Sequence, residues 1–112
     1  MTVHPMISLA DIEAAQTRLS PHIRKTPVME IAAVREPLAL RARTVMKLEL
    51  FQVTGSFKAR GAMNRLLADP HGTPKAGLVT ASGGNHGLAV ARTAHAAKTA
   101  ATIFVPSSVS ME

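Results

Sequence analysis

At 112 residues and 46% hydrophobic content, the chain is long enough for one modest domain and too apolar to be disordered. None of its apolar runs approaches the roughly 20 residues that cross a bilayer. With no cysteine there is no disulfide framework or thiolate metal site, and the start lacks the basic and apolar regions of a secretory signal, so a cytoplasmic protein is expected. The formal charge of +6 raises nucleic-acid binding as a second possibility. Against it, Arg24, Lys25, Arg35, Arg41, Arg43, Lys47, Lys58, Arg60 and Arg65 form no basic run. Three Phe and no Trp or Tyr leave little to stack on bases. A surface that attracts small anionic ligands suits the charge better.

In chain order, Ser8-Leu9-Ala10-Asp11 has the form of a helix start, with Ser8 as cap and Asp11 reaching back against the helix dipole. Leu9, Ile12, Gln16 and Leu19 follow helical spacing, and Ser20-Pro21 ends the pattern. Thr26-Pro27-Val28-Met29 is an extended element or a surface turn. Residues 31–43, interrupted by Pro37, fit helix or loop equally. Alternating apolar and charged residues from Val45 to Leu50 predict a strand. Thr54-Gly55-Ser56 predicts a turn that also caps a helix beginning near Phe57, with Ala62, Met63, Leu66 and Leu67 facing inward. Asp69-Pro70-His71-Gly72 stops that helix. Leu78–Ala81 predicts a strand, Asn85–Ala97 a helix lined by Leu88, Ala91, Ala94 and His95, and Thr102–Val105 another strand. Ser107 onward has the composition of a further helix start.

Strand, helix, strand, helix, strand is the order of parallel crossovers, so the expected class is α/β, a partial three-layer parallel sheet with flanking helices. Three strands leave much of such a sheet uncovered, and a parallel sheet needs both faces covered. The expectation is therefore the front portion of a longer protein.

Two stretches carry chemistry. Lys58, just inside a helix start, stands where the positive end of the dipole disfavours an ammonium and favours a nucleophilic amine able to form an imine with an aldehyde. An isolated lysine in such a place is ordinarily a surface side chain. Ser82-Gly83-Gly84-Asn85-His86-Gly87 joins a strand to a helix. Its glycines let backbone approach a ligand, and exposed amides at the helix start attract a carboxylate or phosphate. The same run also serves as a plain tight turn. It matches neither Gly-x-x-x-x-Gly-Lys-Ser/Thr nor Gly-x-Gly-x-x-Gly. His4, His22, His71 and His95 show no metal-ligand spacing, so no metal is expected.

The stretch ELFQVTGSFKARGA, residues 49–62, closely resembles the pyridoxal-phosphate attachment signature of serine and threonine dehydratases, fold-type II enzymes related to tryptophan synthase β. TASGGNHGLAVA resembles that family's substrate and cofactor loop, and ISLADIEAAQTRLSPHIRKTPV its N-terminal helix and Thr-Pro element. The resemblance runs through nearly the whole chain, in order. It implies pyridoxal 5'-phosphate as cofactor, with Lys58 as the Schiff-base lysine and the acid-base group for the substrate Cα proton. Phe57 would flank the cofactor ring and Asn85 would bond its ring oxygen. Ser82, Gly84, Asn85 and His86 would hold the substrate carboxylate.

The implied reaction is dehydration of a hydroxy amino acid such as L-threonine or L-serine to a 2-oxo acid and ammonia. Serine racemases of the family carry a serine where this chain has Gly83, which favours dehydration here. The family pattern also implies that residues 1–48 belong to a large domain and 49–112 to a small cofactor and substrate domain. The rest of the large domain and the loop holding the cofactor phosphate would lie further along. A homo-oligomer is implied for the longer form, with no nucleic-acid or membrane partner. The other readings are a fragment or ligand-binding remnant without turnover, a serine racemase, and the nucleic-acid binder.

Overall fold

The computed structural model describes residues 6–31 and 42–109. Helix α1, Leu9–Leu19, starts as the sequence predicts. Ser8 is extended, its Oγ accepts from the Asp11 N–H at 3.3 Å, and its own N–H donates to Asp11 Oδ2 at 2.8 Å. These reciprocal bonds satisfy two donors that the first turn leaves unpaired. Of the predicted apolar face only Leu19 is buried, while Leu9 and Ile12 lie mostly in solvent.

Strand β1, Val28–Glu30, pairs antiparallel with β2, Val45–Lys47, in the register Val28 to Lys47 and Glu30 to Val45. Here the expectation is corrected. The strand predicted over Val45–Leu50 stops at Lys47, and it does not join the parallel strands that follow. At Leu48 (φ −82°, ψ 70°) the backbone leaves the extended region, and Glu49–Phe51 forms a 3-10 turn. Alternating polarity resembled a strand, but Glu49 is charged because it is paired within the protein rather than because it faces water.

Helix α2, Lys58–Leu67, buries Ala59, Met63 and Leu66. Leu67, predicted to face inward, is 37% exposed. Strand β3, Leu78–Ala81, leads into helix α3, Asn85–Ala96, and then strand β4, Ala101–Phe104. β3 and β4 pair in parallel, Leu78 opposite Ala101 and Ala81 opposite Phe104. This β3–α3–β4 crossover is the parallel part of the α/β architecture, a two-stranded sheet among the described residues.

The face predicted for α3 is also revised. Gly87, Ala89, Val90, Thr93 and Ala94 are buried, while Leu88 is 58% exposed and His95 points outward. Thr93 is buried without penalty because its hydroxyl donates to the Ala89 carbonyl at 2.8 Å. The core comprises Leu19, Ala59, Met63, Leu66, Ala89, Val90 and Ala94, lying mainly where α2 and α3 pack together. Alanines there let the two helices come close. Most of the stretch left open as helix or loop, 32–41, falls outside the described residues, as do residues 110–112. Ser107 and Ser108 form a turn, closed by the Val109 N–H on the Pro106 carbonyl at 3.1 Å.

Candidate functional site at two helix starts

Lys58 is the first residue of α2, as the sequence predicts, but the helix is not capped by the turn before it. Phe57 holds the N-cap position with no side-chain hydrogen bond. The hydroxyls of Thr54 and Ser56, predicted to serve that end, are buried and find no partner among the described residues. Gly55 takes φ +71°, which a residue with a Cβ adopts poorly, and so permits the turn into the helix. The Lys58 side chain is exposed and forms no ion pair among the described residues. Its Nζ lies 5.3 Å from the centroid of the Phe57 ring, within cation–π range.

Behind the lysine is a polar assembly that motif reading left out. The Glu49 carboxylate accepts two parallel bonds from Arg60, from Nε at 2.7 Å and from Nη2 at 2.7 Å. The buried Thr26 hydroxyl donates to Glu49 Oε1 at 2.5 Å, and Gln52 Nε2 approaches Oε2 at 3.4 Å. The Arg60 bonds, followed by the Thr26 bond, hold the Glu49 carboxyl down to about 2. The Gln52 amide, also buried, accepts from the Arg24 N–H at 2.8 Å and donates to the Arg24 carbonyl at 3.0 Å. The signal was present in the stretch ELFQVTGSFKARGA. Glu49, Gln52 and Arg60 are its polar members, and a glutamate that far from an arginine is not read as a pair until the turn folds between them.

The glycine run lies at the start of α3. The Ser82 Oγ accepts from the Gly84 N–H at 3.3 Å, forming a small turn. No side chain caps α3, and no hydrogen bond among the described residues engages the N–H groups of Asn85, His86 or Gly87. Three donors at the positive end of a twelve-residue helix suit an anion. A Cβ on Gly84 would meet nothing within 4 Å, so this side is open to a ligand. A Cβ on Gly83 would lie 2.7 Å from Val109 Cγ2 and 3.2 Å from Pro106 Cδ. Ser82, Gly83, Gly84, Leu88, Ile103 and Val105 line a cavity of about 380 Å³ here.

The two starts belong to helices that pack directly on one another. A second cleft of about 320 Å³ is lined by Gly61 and Ala62 from the first half of α2 together with His86 and Val90 from α3. His86 therefore stands beside the turn of α2 that follows Lys58. Ser82 and Gly84 open onto the first cavity instead, and Lys58 lines neither. An aldehyde cofactor bearing an anionic group needs a free primary amine and backbone donors left uncapped, and both are present.

The family model for pyridoxal-phosphate-dependent enzymes matches residues 19–112. A catabolic L-threonine dehydratase of Staphylococcus aureus (strain USA300) is 38% identical over 105 residues, covering 94% of this chain and 30% of the relative. The chain thus spans less than a third of that relative's length. Among solved structures, a threonine deaminase from T.th. superposes with a TM-score of 0.70 at 34% identity, over 90% of this chain and 34% of that one. A pyridoxal 5'-phosphate-dependent aspartate racemase gives 0.76 at 35% identity, over 96% and 35%. Maize serine racemase gives 0.71 at 34% identity, over 88% and 30%. With a family model over most of its length, an uncommitted amine at one helix start and uncapped donors at another, the chain belongs to the pyridoxal-phosphate-dependent enzymes.

Proposed function

We propose that the chain carries the lysine and the anion-binding loop of a pyridoxal-phosphate-dependent ammonia-lyase that dehydrates a hydroxy amino acid such as L-threonine or L-serine. The observation that supports this reading is that an amine at the start of α2 and uncapped donors at the start of α3 lie on helices that pack on one another, with the space beside Gly83 already filled. The cofactor supplies an aldehyde that condenses with amines and a ring that draws electrons from the adjoining carbon. Lys58 would hold it and move the proton at the substrate Cα. Phe57 would flank the ring, and the Asn85 side-chain amide would donate to the ring oxygen.

The substrate carboxylate would rest on the start of α3, held by its N–H groups, by Ser82 and Gly84, and by the Asn85 and His86 side chains. Loss of the Cα proton and the β-hydroxyl would leave an enamine product, which water would convert to a 2-oxo acid and ammonia. We assign residues 1–48 to a large domain and 49–112 to a small one. The bonds of Thr26 to Glu49, Arg24 to Gln52, and Arg18 Nε to Asn64 Oδ1 at 3.1 Å cross that boundary and hold its two sides together.

Racemisation is the second reading, favoured by the racemases among the solved relatives. Return of a proton from the opposite face needs a donor there, and Gly83 has no side chain to provide one. The test supplies pyridoxal phosphate with L-threonine or L-serine to the longer form that the family pattern implies, and measures 2-oxo acid and D-amino acid together. Release of 2-oxo acid that disappears in Lys58→Ala is expected. Accumulation of D-serine in its place would overturn the dehydratase reading.

A further inference from the structure

The start of α2 presents a physical problem. A helix whose first turn lacks a side-chain cap leaves its N–H groups unsatisfied and tends to fray. α2 has no such cap and no acidic residue in its first turn, yet its first residue is Lys58. What grips this turn comes from outside the helix. Arg60, two residues after the lysine, places both arms of its guanidinium on Glu49, across the residues that form the approach to the helix. A two-bond fork fixes the plane of the guanidinium as well as its distance, which a lysine in its place could not do.

Glu49 is itself fixed. Its side chain is 15% exposed, and it takes further bonds from Thr26 and Gln52, whose amide is bound on both sides to Arg24. Residues 24–26, the 3-10 turn and the first turn of α2 thus meet at one carboxylate.

We propose that Glu49 and Arg60 are positioning residues that set where the Lys58 amine stands. This rests on the reading of Lys58 as the cofactor lysine. Neither residue is assigned a contact with cofactor or substrate, and both act through the backbone of the first turn of α2. Without the fork the lysine remains present and exposed, but its reactive atom samples a wider volume. Misplacement of order 1 Å is enough to cost up to about a hundred-fold in a positioned reaction.

The test is site-resolved labelling. The chain and its Arg60→Lys and Glu49→Gln variants are incubated with pyridoxal phosphate, reduced with borohydride, and mapped by peptide mass. Labelling of Lys58 is scored against Lys98, an exposed lysine beyond the far end of α3. The expected result is preferential labelling of Lys58 in the parent chain. In both variants the ratio of Lys58 to Lys98 should fall at least about ten-fold, with helical circular dichroism retained. A merely structural contribution would lower stability without altering that ratio in the folded fraction.

Arg60→Lys keeps the charge and provides the decisive variant if Glu49→Gln does not fold. An unchanged ratio in a folded variant overturns the positioning role alone. Absence of preferential Lys58 labelling in the parent chain overturns the reading of Lys58 itself, and the positioning role with it.

Discussion

Among the described residues, Glu49 is the carboxylate whose titration folding shifts most. Glu49 is held at about 2 in the folded chain against an ordinary 4.5. The depressed value means that the folded state favours the ionised form. Its stabilisation is complete above pH 4.5 and is lost as pH falls through about 2. Arg60 keeps about a third of its side chain in water, 34%, so the contribution is discounted to on the order of 2 kcal/mol. Urea unfolding at pH 6 and pH 3 should show a loss that is largely absent in Glu49→Gln. Asp11 and Asp69 are lowered as well, by bonds from Ser8 and from the His71 N–H respectively; Asp11 lies in solvent, where salt weakens such an effect, and Asp69 is partly buried.

Gly77 is the other residue-scale constraint. It takes φ +88°, and a Cβ there would stand 2.6 Å from the Ala100 carbonyl oxygen. Gly77→Ala therefore meets an unfavourable backbone region and a backbone clash together. A loss of roughly 2–3 kcal/mol in the same urea assay is expected.

Among the elements, the α2–α3 contact holds most of the core and is built from small side chains. Ala89 is fully buried at 0% exposure, with Ala59 and Ala94 nearly so. Ala89→Leu should force the helices apart and cost about 1–3 kcal/mol by thermal unfolding. By contrast, Leu88→Ala on the same helix removes a side chain that is 58% exposed and should change stability by less than about 0.5 kcal/mol.

Helix existence was legible from capping and spacing, since Ser8 with Asp11 and the glycines before Asn85 are local signals. Which face of α3 turns inward was not. In an alanine-rich helix every face is apolar enough, and the choice falls to close approach at Gly87, Ala89 and Ala94. Nor was the end of β2 legible. Its alternation continues through Leu50 in polarity, while the backbone turns away at Leu48 under bonds made to residues far earlier in the chain, Arg24 and Thr26. The placement of Lys58 and of the glycine run at helix starts was readable because it depends on adjacent residues. The Glu49 assembly was not, because its partners converge only after folding.

For the molecule as a whole, surface is the dominant quantity. The chain exposes 9129 Å², whereas a folded monomer of its mass exposes about 5,900 Å². The Cα radius of gyration is 17.5 Å against roughly 13 Å for a compact domain of this length. The excess is in part apolar. Val79 and Phe104 on the parallel pair are 68% and 63% exposed, and β1 and β2 are exposed along their whole length. Parallel strands are ordinarily covered on both faces. The isolated chain should bind an apolar dye such as ANS in its native state and sediment faster as concentration rises. A dye-silent monomer over a wide range of concentration would contradict this reading of its surface. Among the described residues, no helix is long and apolar enough to cross a membrane.

The packing beside Gly83 limits the order in which a new reaction could be acquired. A serine there would bring its Cβ onto Val109 and against Pro106 before its hydroxyl could do any chemistry. The glycine-to-serine step taken first should lower stability. Taken after Val109→Ala the 2.7 Å contact is gone and the 3.2 Å approach of Pro106 Cδ remains, so the two substitutions are expected to be non-additive; on the proposed dehydratase reading, a mutational route toward racemisation runs through Val109 first.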